Sequence, residues 1–232
     1  MAESVLQVTI DGRPSRFPAG FTIGQALHAL AIELPMLCHD ERIKPAGGCR
    51  LCLVQIQGNP RPVTACQTPL AEGMVIEART PELEAERRTL LTLLVQRYPR
   101  DAVTRFPEKP FHRWLLAYGV EPDAAPAPVP PDDSHPYLHV DMARCIHCYR
   151  CVRICDELQG QFVWHALGRG EATRIVPGTA ATLRASACVG CGACVDTCPS
   201  GAIEDRSRLE RGAPAAWTRT VCPYCGTGCE LE

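Results

Sequence analysis

The chain has 232 residues, 46% hydrophobic and 22% charged, with a formal net charge of −2. Such a composition belongs to a globular protein rather than a disordered one, and the near-neutral balance excludes the basic face that nucleic-acid binding requires. Its outlying feature is fifteen cysteines.

Residues 5–10 (VLQVTI) alternate as a β-strand, and Asp11-Gly12 is a hairpin turn signal that returns the chain as a second strand over 13–18. Thr22 is placed to cap a helix over 23–32, with Ile23, Ala26, Leu27 and Leu30 on one core-facing stripe. A Gly/Pro-rich loop from Pro35 to Gly48 follows, then short strands near 51–56 and 74–78. Residues 81–97 (PELEAERRTLLTLLVQR) predict an amphipathic helix, with Pro81 in its first turn and acids leading the basic end. Residues 121–136 are proline-rich and lack apolar periodicity, which marks a semi-rigid linker. No apolar run approaches the roughly 18–20 residues of a membrane span. The start, Met1-Ala-Glu-Ser-Val, lacks the basic and apolar regions of an export signal, so a cytoplasmic location is expected.

All cysteines fall into four groups. The first is Cys38, Cys49, Cys52 and Cys66, the second Cys145, Cys148, Cys151 and Cys155, the third Cys188, Cys191, Cys194 and Cys198, and the last Cys222, Cys225 and Cys229. An odd count in a long chain without an export signal argues against a disulfide framework. Structural zinc prefers two separated pairs of ligands. Groups two and three instead read C-x2-C-x2-C-x3-C, the bacterial ferredoxin spacing, in which the fourth Cys ligates the other cluster. The whole pattern repeats at an offset of 43 residues, so the segment is an internal duplication. The expected ligand sets are therefore Cys145, Cys148, Cys151 and Cys198 for one [4Fe-4S] cluster, and Cys188, Cys191, Cys194 and Cys155 for the other. Pro199 completes the motif in the second half, where the first half has Asp156. His147, His165 and His39 lie near cysteines that already supply four thiols, so they stand outside the ligand sets. The first group, C-x10-C-x2-C-x13-C, sits on irregular backbone in a setting that suits one [2Fe-2S] cluster.

The stretch LPMLCHDERIKPAGGCRLCLVQIQGNPRPVTACQTPLAEGMVIE resembles the N-terminal [2Fe-2S] domain of the large iron–sulfur subunit of respiratory NADH dehydrogenase. The same domain opens hydrogenase diaphorase subunits and many molybdenum or tungsten formate dehydrogenases. That resemblance implies a β-grasp ferredoxin fold. In the resembled family the helix after it precedes a His-Cys-Cys-Cys motif. The corresponding positions here are Tyr98, Ala102 and Arg105, and no Cys follows before Cys145, so that cluster is expected to be absent. The insert DELQGQFVWHALGRGEATRIVPGT and the closing SACVGCGACVDTCPSGAI resemble the same families. VCPYCGTGCEL, residues 221–231, resembles the start of the catalytic domain of molybdopterin-dependent formate dehydrogenases. There, three such cysteines begin a further [4Fe-4S] site whose fourth ligand lies downstream.

The expected fold class is α+β. The expected domains are a [2Fe-2S] β-grasp domain over 1–79, a helical segment over 80–120, a linker over 121–136, a duplicated 2[4Fe-4S] ferredoxin-like domain over 137–207, and the start of a molybdopterin-type [4Fe-4S] domain over 208–232. By resemblance, the chain is the electron-relay part of a formate dehydrogenase-like enzyme. It would pass electrons between a pterin site carrying Mo or W, in a further domain or subunit, and a flavin/NAD diaphorase subunit or a ferredoxin. The alternative is a free-standing diaphorase-type electron-transfer subunit of an NAD-reducing hydrogenase or NADH dehydrogenase-like complex. An iron–sulfur assembly or sensing module is a third class, with no motif in its favour. No side chain of this chain presents itself as a catalyst, and no G-x-G-x-x-G nucleotide loop is present.

Overall fold

The computed structural model describes residues 4–122, 130–212, 215–223 and 226–231. Strands β1 (Val5–Ile10) and β2 (Arg13–Pro18) form a hairpin in the register Ile10↔Arg13. Asp11 and Gly12 both take positive φ, 47° and 75°, as the two-residue turn demands. Helix α1 (Ile23–Ala29) begins with a full capping box: Thr22 accepts from the Gln25 N–H, and the Gln25 side chain accepts from the Thr22 N–H. It ends earlier than the periodicity predicts, because Leu30 leaves helical geometry and Ala31 turns left-handed at φ 55°. Strands β3 (Leu53–Ile56), β4 (Val63–Thr64) and β5 (Val75–Glu77) complete a sheet of order β2-β1-β5-β3-β4. Its β1–β5 pair is parallel and the other pairs are antiparallel. Ile10, Ile23, Ala26, Leu27, Val54 and Ile76 are sealed between sheet and helix.

Helix α2 (Pro81–Val95) starts at the Thr80 cap, whose hydroxyl accepts from the Leu83 N–H. It packs with α3 (Arg100–Arg105) and α4 (Pro110–Tyr118). Leu91, Val95, Tyr98, Phe111 and Leu115 join Leu37, Leu51 and Ile146 in a second core. Leu37 and Leu51 each adjoin a cysteine of the first group, so the helical segment backs the first cysteine loop.

Arg87 departs from the amphipathic reading of α2. It is fully buried, with Nε donating to the Leu51 carbonyl at 3.0 Å and the guanidinium also reaching the carbonyls of Leu53 and Ala78 at 2.5 and 2.7 Å. Glu84 balances it at 2.8 Å. The charge is buried because the ends of β3 and β5 leave carbonyls that need a planar, multi-donor partner.

Strands β6 (Leu138–Val140) and β9 (Ile203–Asp205) pair antiparallel and close the duplicated segment at its two ends. Between them run α5 (Arg150–Arg153), which continues as a wider turn over Ile154–Leu158, the hairpin β7 (His165–Leu167) and β8 (Arg174–Val176), and α6 (Ala193–Thr197). Leu138, Trp164, Ile175, Leu183 and Ile203 form its core. Part of the proline-rich stretch lies outside the described residues, and its end is no free linker. Asp132 pairs with Val140 through both backbone groups and accepts from the Leu183 N–H at 2.6 Å. Helix α7 (Arg206–Arg211) follows β9, and strands β10 (Thr220–Val221) and β11 (Glu230–Leu231) form a terminal two-stranded ladder. Among the described residues no helix is long and apolar enough to cross a membrane.

Candidate metal centres

Three elements deliver the first cysteine group. Cys38 lies on the loop after α1, Cys49 and Cys52 flank the left-handed residue Arg50 (φ 55°), and Cys66 follows β4. Cys38, Cys52 and Cys66 are buried, and Cys49 is partly so. The Cys49 backbone N–H donates to Cys38 Sγ at 3.3 Å. Thiol–thiol hydrogen bonding pairs Cys38 with Cys49 and Cys52 with Cys66. The bond from Cys49 draws the Cys38 thiol down, and the bond from Cys66 draws Cys52 down, while Cys49 and Cys66 are driven up. Four converging sulfurs, two of them readily ionised, suit the donor chemistry of a thiolate-bound cluster. Gly47 permits the approach of this loop to its neighbours: at φ 62°, a Cβ there would meet Gln67 Oε1 at 2.1 Å.

The second and third groups sort themselves into two pockets. Cys145, Cys148, Cys151 and Cys198 line one, walled by Met142, Ile146, Ile175 and Ile203. Cys188, Cys191 and Cys194, together with Cys155, line another, walled by Leu138, Val163, Trp164 and Val189. The fourth cysteine of each motif thus faces the other half's pocket. Among the described residues no three His, Cys, Asp or Glu side chains close on a single ion; the thiols stand around a volume instead.

The two halves share backbone detail at the same offset as their cysteines. His147 and Gly190 both take positive φ (51° and 70°), as do Tyr149 and Gly192 (60° and 79°). The His147 N–H donates to Cys145 Sγ and the Gly190 N–H to Cys188 Sγ, each at 3.4 Å. Glycine adopts this conformation freely, whereas His and Tyr there cost about 1 kcal/mol or more each. His147 therefore serves the site through its backbone. The His165 side chain is exposed on β7.

Burial pushes the Cys145, Cys148 and Cys194 thiols up to about 12, and raises the Cys151 thiol as well. Sequence reasoning missed three groups around these sulfurs. Trp164 hydrogen-bonds Cys194, the Val163 N–H donates to Cys155 Sγ at 3.3 Å, and Ser200 Oγ lies 3.8 Å from Cys198 Sγ. Only the contact from Ser200 had a visible cue, its place beside the Cys-Pro pair. Hydrogen bonds of this kind set cluster potentials.

The first cysteine loop is fastened to the ferredoxin-like unit. Thr197 Oγ1 donates to Asp40 Oδ2 at 2.7 Å, and Arg42 bridges Asp40 and Asp196. The His39 carbonyl accepts from Arg150, the Lys44 carbonyl accepts from Arg153, and the Lys44 N–H donates to Glu157 at 2.9 Å. In the last cysteine group, Cys222 and Cys229 face each other where the Cys222 N–H donates to the Cys229 carbonyl at 2.8 Å. Cys225 lies outside the described residues.

Fold and cysteine placement define an iron–sulfur protein of ferredoxin type with two cluster-binding units. Residues 3–81 match the 2Fe-2S iron-sulfur cluster binding domain, and residues 135–204 match the ferredoxin-like domain of NADH-quinone oxidoreductase subunit 3. The chain is 34% identical over 238 residues to an NADH-quinone oxidoreductase subunit of Rhizobium meliloti, covering 98% of this chain and 27% of that protein. It is 32% identical over 235 residues to NADPH-Fe(3+) oxidoreductase subunit alpha of Geobacter sulfurreducens, covering 98% and 28%. NADP-reducing hydrogenase subunit HndD of Solidesulfovibrio fructosivorans is 30% identical over 216 residues, covering 89% and 37%. The chain thus spans little more than a quarter of the length of the first two relatives. Among solved structures, a chain of an NAD+-reducing [NiFe]-hydrogenase in the H2-reduced state superposes with a TM-score of 0.75 at 27% identity, over 87% of this chain and 88% of that one.

Proposed function

We propose that this chain is the iron–sulfur electron-relay part of an NAD(P)-linked oxidoreductase complex of the NADH-quinone oxidoreductase or NAD-reducing hydrogenase kind. The observation that carries the reading is the set of three four-cysteine groups, two of them crossed between the halves of one unit and the third fastened beside them through Asp40 and Thr197. Bound clusters supply one-electron carriers. The chain's own residues hold them. Cys38, Cys49, Cys52 and Cys66 suit a [2Fe-2S] cluster. Cys145, Cys148, Cys151 and Cys198, and Cys188, Cys191, Cys194 and Cys155, suit two [4Fe-4S] clusters. Ile146, Ile175 and Trp164 give the two pockets apolar walls, and backbone N–H groups of Cys49, His147, Val163 and Gly190 support sulfur charge. The partner in this reading is a flavin/NAD subunit, and the location is cytoplasmic.

The formate dehydrogenase-like reading, with a pterin metal and a further [4Fe-4S] site begun by Cys222, Cys225 and Cys229, shares the two cluster-binding units and is set apart by the terminal motif. Relatives matched over 98% of this chain bear NADH-quinone and NADPH-Fe(3+) oxidoreductase names, so the NAD-linked reading stands first. Metal analysis of the native complex separates the two. About 10 irons on these groups, reducible by NAD(P)H through a flavin partner and without Mo or W, supports the first reading. Stoichiometric Mo or W with about 14 irons supports the second. Fewer than about 8 irons would overturn the three-cluster assignment common to both.

A further inference from the structure

Helix α4 carries His112, which is fully buried and belongs to no cysteine group. Its Nδ1 lies 2.5 Å from the Phe106 carbonyl oxygen, and its Nε2 lies 2.6 Å from Tyr98 Oη. Tyr98 Oη in turn lies 2.9 Å from the Ser200 carbonyl oxygen, and Tyr98 is 2% exposed. Ser200 lines the pocket of Cys145, Cys148, Cys151 and Cys198. A continuous hydrogen-bonded path therefore joins α4 to the wall of one candidate [4Fe-4S] site.

The protons on this path do not add up in the neutral state. A carbonyl oxygen only accepts, a neutral imidazole carries one N–H, and a phenol carries one O–H. Three hydrogen bonds run from Phe106 O through His112 and Tyr98 to Ser200 O, so three protons are needed, and neutral side chains bring two. With Nδ1–H given to Phe106, the phenol proton goes either to Nε2 or to Ser200, and the other contact goes without. The imidazolium supplies the third proton and satisfies all three contacts.

Charge opposes that proton at rest. Burial holds His112 below the usual imidazole range, helped by Lys109 and Arg144, while the Phe106 carbonyl and Glu108 pull the other way. From the ferredoxin-like unit, buried Glu204 pairs with Lys109, and Asp141 pairs with Arg144 at 2.9 Å. These pairs temper both cations. Burial raises the Tyr98 phenol, and Tyr98 lies within electrostatic reach of Cys198 and Cys145, whose negative charge raises it further. Added negative charge at that site would tip the balance toward the imidazolium.

We propose that His112, acting through Tyr98, takes up one proton when the [4Fe-4S] site of Cys145, Cys148, Cys151 and Cys198 gains one electron. The inference rests on the cluster assignment above. One electron arrives from a low-potential one-electron donor and one proton arrives from solvent. The proton bonds to Nε2, Nε2–H donates to Tyr98 Oη, and Tyr98 O–H donates to the Ser200 carbonyl. No bond to iron forms or breaks. His112 and Tyr98 are positioning residues for charge, and neither touches the reacting sulfur atoms.

The test is a dithionite-poised redox titration of the cluster-loaded protein, read by electron paramagnetic resonance between about pH 5.5 and 8.5, where imidazoles titrate. The expected result is that one [4Fe-4S] midpoint falls as pH rises, by up to about 59 mV per tenfold change in proton activity for a one-electron couple. His112→Gln should flatten that profile. Tyr98→Phe, which deprives Nε2–H of its acceptor, should move the sloping region to lower pH. Should His112→Gln fail to fold, Tyr98→Phe decides alone. Full cluster signals with a flat native profile, or a slope that survives the variants unmoved, would overturn the coupling alone. Missing [4Fe-4S] signals and iron would overturn the cluster assignment and the coupling with it.

Discussion

Asp40 and Thr197 lie 157 positions apart in the chain and meet at 2.7 Å, hydroxyl to carboxylate. Asp40 is two residues past Cys38 and Thr197 one residue before Cys198, so this hydrogen bond ties two different cysteine groups directly, beside the contacts of Arg42, Arg150 and Arg153. Arg42 holds the same carboxylate at 2.8 Å, and Asp40 is buried.

Asp40→Ala is expected to cost about 1.5–3 kcal/mol, the range for hydrogen bonds to a charged group, and to slow electron exchange between the first centre and the others without loss of iron. Stopped-flow reduction with parallel iron analysis checks it; equal rates at equal iron would reject the spacing role.

The same pair makes a pH prediction. The hydrogen bond from Arg42, with help from Thr197, holds the Asp40 carboxyl well below the usual carboxylate range. A carboxyl with a depressed folded pKa stabilises the fold above its unfolded value of about 3.9 and loses that contribution as pH falls through the folded one. Stability contributed by Asp40 should therefore be constant from neutral pH down to about pH 5 and drop only in stronger acid. Comparing melts of native protein and Asp40→Asn at a series of pH values reads this directly, the difference between them shrinking only at the acid end.

Cys155→Ser distinguishes crossed from uncrossed ligation. The structure puts Cys155 in the pocket of Cys188, Cys191 and Cys194. The variant should lose about four irons and the signal of the second-half centre, while the centre of Cys145, Cys148 and Cys151 survives. Loss of the first-half signal instead would contradict the crossing.

Arg87→Met should destabilise by about 1–3 kcal/mol or more, the cost of leaving buried acceptors unsatisfied. It strands the carbonyls of Leu51, Leu53 and Ala78, while Glu84 keeps Arg79 at 3.0 Å and the Tyr118 hydroxyl at 2.6 Å. Since Leu51 and Leu53 flank Cys52, the denaturation midpoint and the [2Fe-2S] content should fall together.

Gly192→Ala isolates backbone from space. At φ 79° the position is left-handed, yet nothing lies within 4 Å of an added Cβ. A loss of about 1–2 kcal/mol by denaturant titration would be conformational strain alone; a neutral result would show that α6 shifts to absorb it.

The first hairpin was legible because alternation and Asp11-Gly12 are local signals, and the Thr22 cap for the same reason. Cysteine spacing exposed the duplication, since tight loops around inorganic cores leave a rigid imprint on sequence. Arg87 was illegible because periodicity counts any arginine as a solvent-facing residue, while unpaired strand carbonyls are a tertiary fact. His112, Tyr98 and Ser200 were illegible for a related reason: Tyr98 and Ser200 are 102 positions apart. Tyr98 drew notice only as a departure from a His-Cys-Cys-Cys motif, and its bond to His112 appears only in three dimensions. The left-handed His147 and Tyr149 stand where the second half has glycine, a correspondence the 43-residue offset contained but residue type disguised.

The pairing of β6 with β9, Leu138 against Asp205, brings the entrance and exit of the duplicated unit side by side. The unit is in effect a cassette whose two chain ends leave through one neck. A change in chain length after Asp205 would meet the cassette only at that neck, because its seat against the first cysteine loop is made by Thr197, Arg150, Arg153 and Glu157. What hangs from the neck can therefore vary in size while every sulfur keeps its neighbours.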